Sequence, residues 1–254
     1  MSTKQERAVR TRRALIQAAA QVFERTEYVE ARMDTISALA GMSRGALSFH
    51  FAGKEAVAGE IETRAAVALR RAVLVEHRRN TSALQALVDA THALALLVRT
   101  DTVVRGGLRL NCDARHRSRA SLRAAWERYV RILLDEAAAL GELREGAEPP
   151  DPYEVIIATT TGLQVLGLED AAWLEARPLT HFWETLLPRI ARAEALALLR
   201  PEGSPAAART PGPRPSAVPA RGGGAIRRGE PEPVARWQGP LLREYGRPLA
   251  SGAR

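Results

Sequence analysis

DTISALAGMSRGALSFHF, residues 34 to 51, runs straight into Ala52, Gly53, Lys54 and Glu55. The stretch reads as helix, tight turn, second helix and the basic start of a third. Ile36, Leu39 and Ala40 fall at i, i+3 and i+4, a spacing that predicts one buried face. Gly41 supplies the permissive backbone of a sharp turn, and Ser43 is a good N-cap for the helix that follows. On that helix Leu47 and Phe51 are four apart and point inward. Arg44, Gly45, Ser48 and Phe49 are left on the outer, N-terminal side, where a recognition helix meets base edges and phosphates. The pattern implies a helix-turn-helix that reads DNA.

Composition agrees with this reading. A chain of 254 residues holds a sizeable core. Aromatics are sparse at 5% and alanine is abundant, so the alternation of β-branched and aromatic residues that marks strands is scarce. The fold expected is all-α. The net charge of +8 suits a polyanion partner. Lys4, Arg7, Arg10, Arg12 and Arg13 lead into the reading stretch, the region after Arg200 is again arginine-rich, and the middle is nearly balanced. Cys112 is the only cysteine, which excludes an intrachain disulfide and a cysteine-based zinc site. No run approaches the roughly 18 apolar residues of a membrane span, and the charged N-terminus lacks a signal-peptide core. A cytoplasmic protein without membrane contact is expected.

The stretch GMSRGALSFHFAGKEAV, and with it Met1 to about Glu60, resembles the DNA-binding domain of the TetR family of bacterial repressors. Arg-Gly-Ala-Leu-x-Phe-His-Phe is similar to one branch in particular, the γ-butyrolactone autoregulator receptors. Two departures stand out: Ser48 replaces the family's usual tyrosine, and Glu27 replaces the glycine that precedes its aromatic, here Tyr28. The second helix also lacks a Ser or Thr cap, with Arg32 and Met33 at its start, at a cost of about 1 kcal/mol. Arg32 offsets this if it binds a phosphate.

The resemblance and the chemistry together name two sets of residues. Arg44, near the start of the recognition helix, is suited to donate two bonds to guanine O6 and N7. Gly45 lets the backbone approach the duplex, and His50 and Lys54 match phosphate binders of the family. With Arg32, Ser43, Ser48 and Phe49 they complete the expected DNA-binding set, although His50 also reads as a core histidine. In the body, the branch counterpart of Trp126 lines the butyrolactone pocket; an indole offers a flat apolar wall and one N–H donor. By the same resemblance Thr161 is a candidate polar contact in that cavity, or else a threonine facing the neighbouring helix. Leu87, Val88, Leu108, Val130 and Ile157 are candidate walls, for which core packing is the competing reading.

The expected organisation is a helix-turn-helix domain over residues 1–53, a helical ligand-binding and dimerisation domain over 54–200, and a Pro-, Gly- and Arg-rich disordered tail over 201–254. The first helix is predicted over about Gln5 to Arg25 and the connecting helix over Lys54 to about His77. Helices are predicted over Ser82 to Val98, Ser118 to Leu140 and Pro152 to Leu168. A broken segment around Gly106 and Gly107 is expected, and a last helix from Ala172 to Leu199 bent at Pro188. Trp237, Leu241, Leu242 and Tyr245 form a candidate docking segment in the tail. In the family the last helices pair across a twofold axis, which implies that Trp173, Phe182 and Trp183 lie near a dimer seam.

The function implied is a homodimeric, ligand-responsive repressor of a palindromic operator on double-stranded DNA, released by a small effector. The alternative is a pseudo-receptor of the same fold that answers an antibiotic or biosynthetic intermediate. A non-specific basic DNA coater is a further alternative, and it would lose affinity with salt equally on every sequence. Catalysis is not expected: G-x-S-x-G, P-loop, H-E-x-x-H and dinucleotide fingerprints are absent, and Asp135-Glu136 and Glu169-Asp170 are adjacent pairs that point apart on a helix. No cofactor and no metal are expected.

Overall fold

In the first helix, α1 (Thr3–Arg25), Leu15, Ile16, Ala19, Val22 and Phe23 recur on one face and are all buried. Each large apolar side chain removed from water contributes roughly 1.5–3 kcal/mol. They close over Ile36 of α2 (Met33–Leu39) and Leu47 of α3 (Arg44–His50) in one core that also takes in Phe51. Gly41 turns the chain between α2 and α3 with φ +67°, a conformation that favours glycine. The Ser43 hydroxyl accepts from the Ala46 N–H at 3.2 Å, the expected N-cap. Leu39 departs from the expectation: it is 52% exposed, and Ser37 is buried in its place. A helix of two turns buries a patch and not a stripe, and Ser37 tolerates the interior because its hydroxyl donates to the Asp34 carbonyl at 3.0 Å.

The computed structural model describes residues 3–118, 121–144 and 151–205. The chain divides into two units, Met1–Thr210 and Pro211–Arg254, and all described residues lie in the first. The helix α4 (Lys54–Arg79) begins in the head, where Val57, Ala58 and Ile61 complete its core, and continues past Ala68, Leu69 and Ala72 into a second cluster. The helices α5 (Ala83–Thr100), α6 (Thr102–Cys112), α7 (Leu122–Ala139) and α8 (Pro152–Glu169) follow. Ser82, Asp101, Ser121 and Asp151 cap them in that order. A 3-10 turn over Ala171–Leu174, α9 (Ala176–Ile190) and the short α10 (Ala193–Leu196) complete the body. Among the described residues there is no strand, only an isolated bridge between Leu143 and Ala191.

Two expectations are corrected here. Gly106 and Gly107 do not break the chain; they lie inside α6. A Cβ on Gly106 would stand 2.8 Å from the Ala20 carbonyl oxygen of α1, and one on Gly107 only 2.4 Å from the Ala65 Cβ of α4. Glycine is needed there for close helix contact and not for a turn. Pro188 does not bend a long final helix. It sits exposed in the last turn of α9, and the chain leaves the helix at Ala191, where Arg144 N–H donates to the Ile190 carbonyl at 2.9 Å.

Beyond α10 the ordered chain passes residue 200. The Arg200 N–H donates to Gln85 Oε1 and the Ser204 N–H to Asp89 Oδ1, each at 2.8 Å, while Pro201 O meets His92 Nε2 at 2.9 Å. Residues 201–205 are therefore fastened to α5. The rest of the expected tail, with Trp237, Leu241, Leu242 and Tyr245, lies outside the described residues. No described helix is long and apolar enough to cross a membrane.

Candidate nucleic-acid interface and effector site

The outer face of α3 is open. Ser43, Arg44, Gly45 and Ser48 are exposed, and Phe49 is 85% exposed, an unusual place for a phenylalanine in a free protein. His50 is half-buried and meets the Phe49 ring edge-on with centroids 5.4 Å apart, so it is neither a core residue nor a free one. Arg44 Nη1 donates to both carboxylate oxygens of Asp34, at 2.9 and 3.0 Å. Arg32 occupies the N-cap of α2 without a side-chain cap bond, as its sequence implies, and is exposed.

The basic arm is less uniform than its sequence. Arg7, Arg10 and Arg13 are exposed on α1, whereas Arg12 turns inward. Its guanidinium donates to Glu60 Oε1 at 2.7 Å and lies 5.0 Å from the Phe51 ring centre. The hydrogen bond from Arg12 holds the Glu60 carboxyl well below its ordinary value, at about 2, against the opposing pull of burial.

Lys54 is also engaged. Its Nζ donates to the Tyr28 and Val29 carbonyls at 2.8 and 3.2 Å and sits 4.6 Å from the Tyr28 ring centre. A phosphate would compete with these bonds. Tyr28 in turn fixes the head to the body: its N–H donates to Asp113 Oδ2 at 2.7 Å and its ring lies 4.5 Å from that of His116. Burial pushes the Asp113 carboxyl up, but the N–H groups of Tyr28 and Arg115 outweigh it and the group is held down. Glu27 does not adopt the positive φ open to the glycine it replaces, and it pairs with Arg115 at 3.1 Å. Below this joint Glu62 of α4 is buried against His116 Nε2 at 3.1 Å and accepts from the Ser118 hydroxyl. A serine, a histidine and a carboxylate thus meet, with Glu62 taking both the Ser118 hydroxyl and the His116 ring.

In the body, Trp126 of α7 is half-buried, and its indole N–H donates to Thr160 Oγ1 of α8 at 3.0 Å. Thr161, the expected polar contact for a ligand, is the next residue on α8 and is half-buried; successive helical residues point about 100° apart. The Thr160 hydroxyl donates onward to the Ile156 carbonyl at 2.7 Å. The indole stacks on Tyr129 with centroids 5.8 Å apart, and Tyr129 meets the edge of His77. Of the expected walls, Leu87, Val88 and Val130 are fully buried and Ile157 half-buried. Leu108 is packed with Leu97, Val98, Val104 and Leu174 in the second core cluster. Leu87 and Val88 are consecutive on α5 and therefore line different faces. Trp183 is corrected outright: it is buried, and its indole N–H donates to Thr91 at 2.8 Å. It faces α5 and not a seam, whereas Trp173 is 43% exposed.

Asp34, Thr160, Asp113, His116 and Glu62 went unnoticed in the sequence. Tyr28 and Asp113 are 85 positions apart, and no local pattern announces such a pair.

Two helices joined by a glycine turn, with the second presenting its outer side, define a helix-turn-helix DNA-binding protein carrying a helical body. Residues 15–61 match the sequence profile of the bacterial regulatory proteins of the tetR family. The chain is 31% identical over 201 residues to the A-factor receptor protein of Streptomyces griseus, covering 79% of this chain and 71% of that one. Among solved structures it is similar to a γ-butyrolactone receptor described as ArpA-like, at 27% identity and TM-score 0.61, covering 76% of this chain and 93% of the other. It is likewise similar to CprB of Streptomyces coelicolor in complex with its biological operator sequence, at 27% identity and TM-score 0.61, covering 76% and 94%. This chain belongs to the TetR family of transcriptional regulators and is related to its γ-butyrolactone receptors.

Proposed function

We propose that this chain is a cytoplasmic, ligand-responsive repressor that binds a palindromic operator as a homodimer and is released by a small molecule of the γ-butyrolactone type. Residues 1–53 are the reading head and 54–200 the effector-binding and dimerising body; no catalytic role is assigned. The observation that carries this reading is the open face of α3, with Arg44, Ser48 and Phe49 exposed, in a chain whose relatives include CprB, solved with its operator.

Dimerisation is supported by Val165 and Leu166 of α8 and Trp173 beyond it, apolar side chains left exposed close together in sequence. A second copy seated there buries them and sets two recognition helices one DNA turn, or a multiple of it, apart. The effector must bind the operator-incompetent arrangement better than the competent one, since equal affinity shifts nothing. Trp126 offers that effector the flat face of its indole, its N–H being taken by Thr160.

The test is a gel shift on the region upstream of its own reading frame, against competitor DNA, with and without a butyrolactone. A specific shift abolished by the lactone supports the full reading. A specific shift that ignores lactones but yields to an antibiotic assigns the chain to the pseudo-receptor reading, which Ser48 and Glu27 favour. Retardation that falls equally on every sequence with salt would leave only a basic DNA coater.

A further inference from the structure

The guanidinium of Arg44 stands in the reading face already held. Asp34, in the first turn of α2, takes Nη1 on both carboxylate oxygens at 2.9 and 3.0 Å, reaching across to the first residue of α3. Both side chains are largely exposed, so the pair adds little to stability, and the glycine turn already joins the two helices. A carboxylate on a face that meets phosphates also repels DNA. Its place there calls for another reason.

The geometry of the guanidinium supplies one. Its five N–H groups form a rigid planar fork. With Nη1 committed to Asp34, the opposite edge, where Nε–H and one Nη2–H run parallel, carries no hydrogen bond among the described residues. That free edge has the donor pair that guanine O6 and N7 accept. A long arginine otherwise samples many rotamers and loses that freedom on contact.

We propose that Asp34 is a specificity-determining residue: it holds Arg44 by one nitrogen so that the remaining edge is aimed at a single base. This deepens the DNA-reading function proposed above and rests on it. Asp34 acts through Arg44 and touches no base itself, which makes it a positioning residue. Removing it blunts the choice of one base without removing the attraction to phosphates.

The full-length protein, with Asp34→Ala, Asp34→Asn, Asp34→Glu, Arg44→Ala and the Asp34→Ala/Arg44→Ala double variant, is put through selection from randomised duplex DNA and then titrated on the enriched site and on unrelated DNA. Asp34→Ala and Arg44→Ala are expected to lose preference at the same base position, by about tenfold, a share of what a bidentate arginine–guanine pair supplies. The double variant is expected to lose no more than Arg44→Ala alone. Asp34→Glu retains part of the preference, and affinity for unrelated DNA stays equal or rises. Asp34→Asn keeps an acceptor in the first turn of α2, so its loss of preference separates the lost ion pair from a weakened helix. Wild-type preference in Asp34→Ala, or losses that add in the double variant, would overturn the assignment while leaving the DNA-reading function intact. A wild-type protein that enriches no site at all overturns both.

Discussion

Trp126 and the neighbouring threonines Thr160 and Thr161 of α8 separate what residue chemistry tells in advance from what only packing decides. The sequence singles out the indole because it stands among Ala, Leu and Arg, and Thr161 through the resemblance to the receptor branch. Which threonine takes the N–H depends on the rotation of α8 against α7, which no local pattern fixes; the structure chooses Thr160, at 3.0 Å. Thr160→Val is expected to leave the indole N–H unpaired at a cost of about 1 kcal/mol and to change effector affinity several-fold, whereas Thr161→Val leaves it nearly unaltered. Titration of a butyrolactone against the preformed operator complex checks this, and equal responses from the two variants would place the site elsewhere. The same limit applies at the DNA face. Arg44 is legible from its position in the motif, but its partner Asp34 is not, because an acidic residue early in a helix is already explained by the helix dipole.

At the level of elements, most helices are legible because capping residues and apolar periodicity agree: Ser43, Ser82 and Ser121 each stand where a helix starts. α6 is not legible, since a Gly-Gly pair usually weakens a helix. The pair survives because tertiary contact outweighs propensity, and substitution should show it. Gly106→Ala would drive a methyl into the backbone of Ala20, which cannot give way, and is expected to destabilise by about 1–3 kcal/mol. Gly107→Ala meets the Ala65 side chain instead, so Ala65→Gly should restore part of its loss while doing nothing for Gly106→Ala. Thermal melts of the four variants decide the matter; a rescue of both, or of neither, contradicts the packing described. Leu39 shows the complementary failure, a periodic apolar residue left outside because α2 is too short to bury a stripe.

For the whole molecule, two boundaries acquire physical content. The chain is held to α5 as far as Ser204, so truncation after Arg200 removes the bonds to Asp89 and His92 and is expected to lower the melting temperature by several degrees. Truncation after Pro205 keeps them, and both truncations should retain operator preference in a gel shift. Acid stability has a marker in the head. Glu60, ordinarily near 4.5 and held at about 2 when folded, stabilises the protein above pH 4.5, and this contribution disappears as pH falls through 2. The pair is partly exposed and screened, so the effect is at most about 1 kcal/mol. Glu60→Gln should melt with a shallower acid limb than the wild type between pH 4.5 and 2, and an unchanged slope would refute the pairing. The meeting of α6 with α1 and α4 has a mechanical meaning as well. At Gly106 and Gly107 only backbone and the Ala65 methyl meet the glycines at closest approach, so no rotatable side chain is available there to absorb a small displacement. A shift of α6 of even half an ångström has to be passed on to its neighbours as motion, which makes this seam a rigid gear between the two halves of the protein.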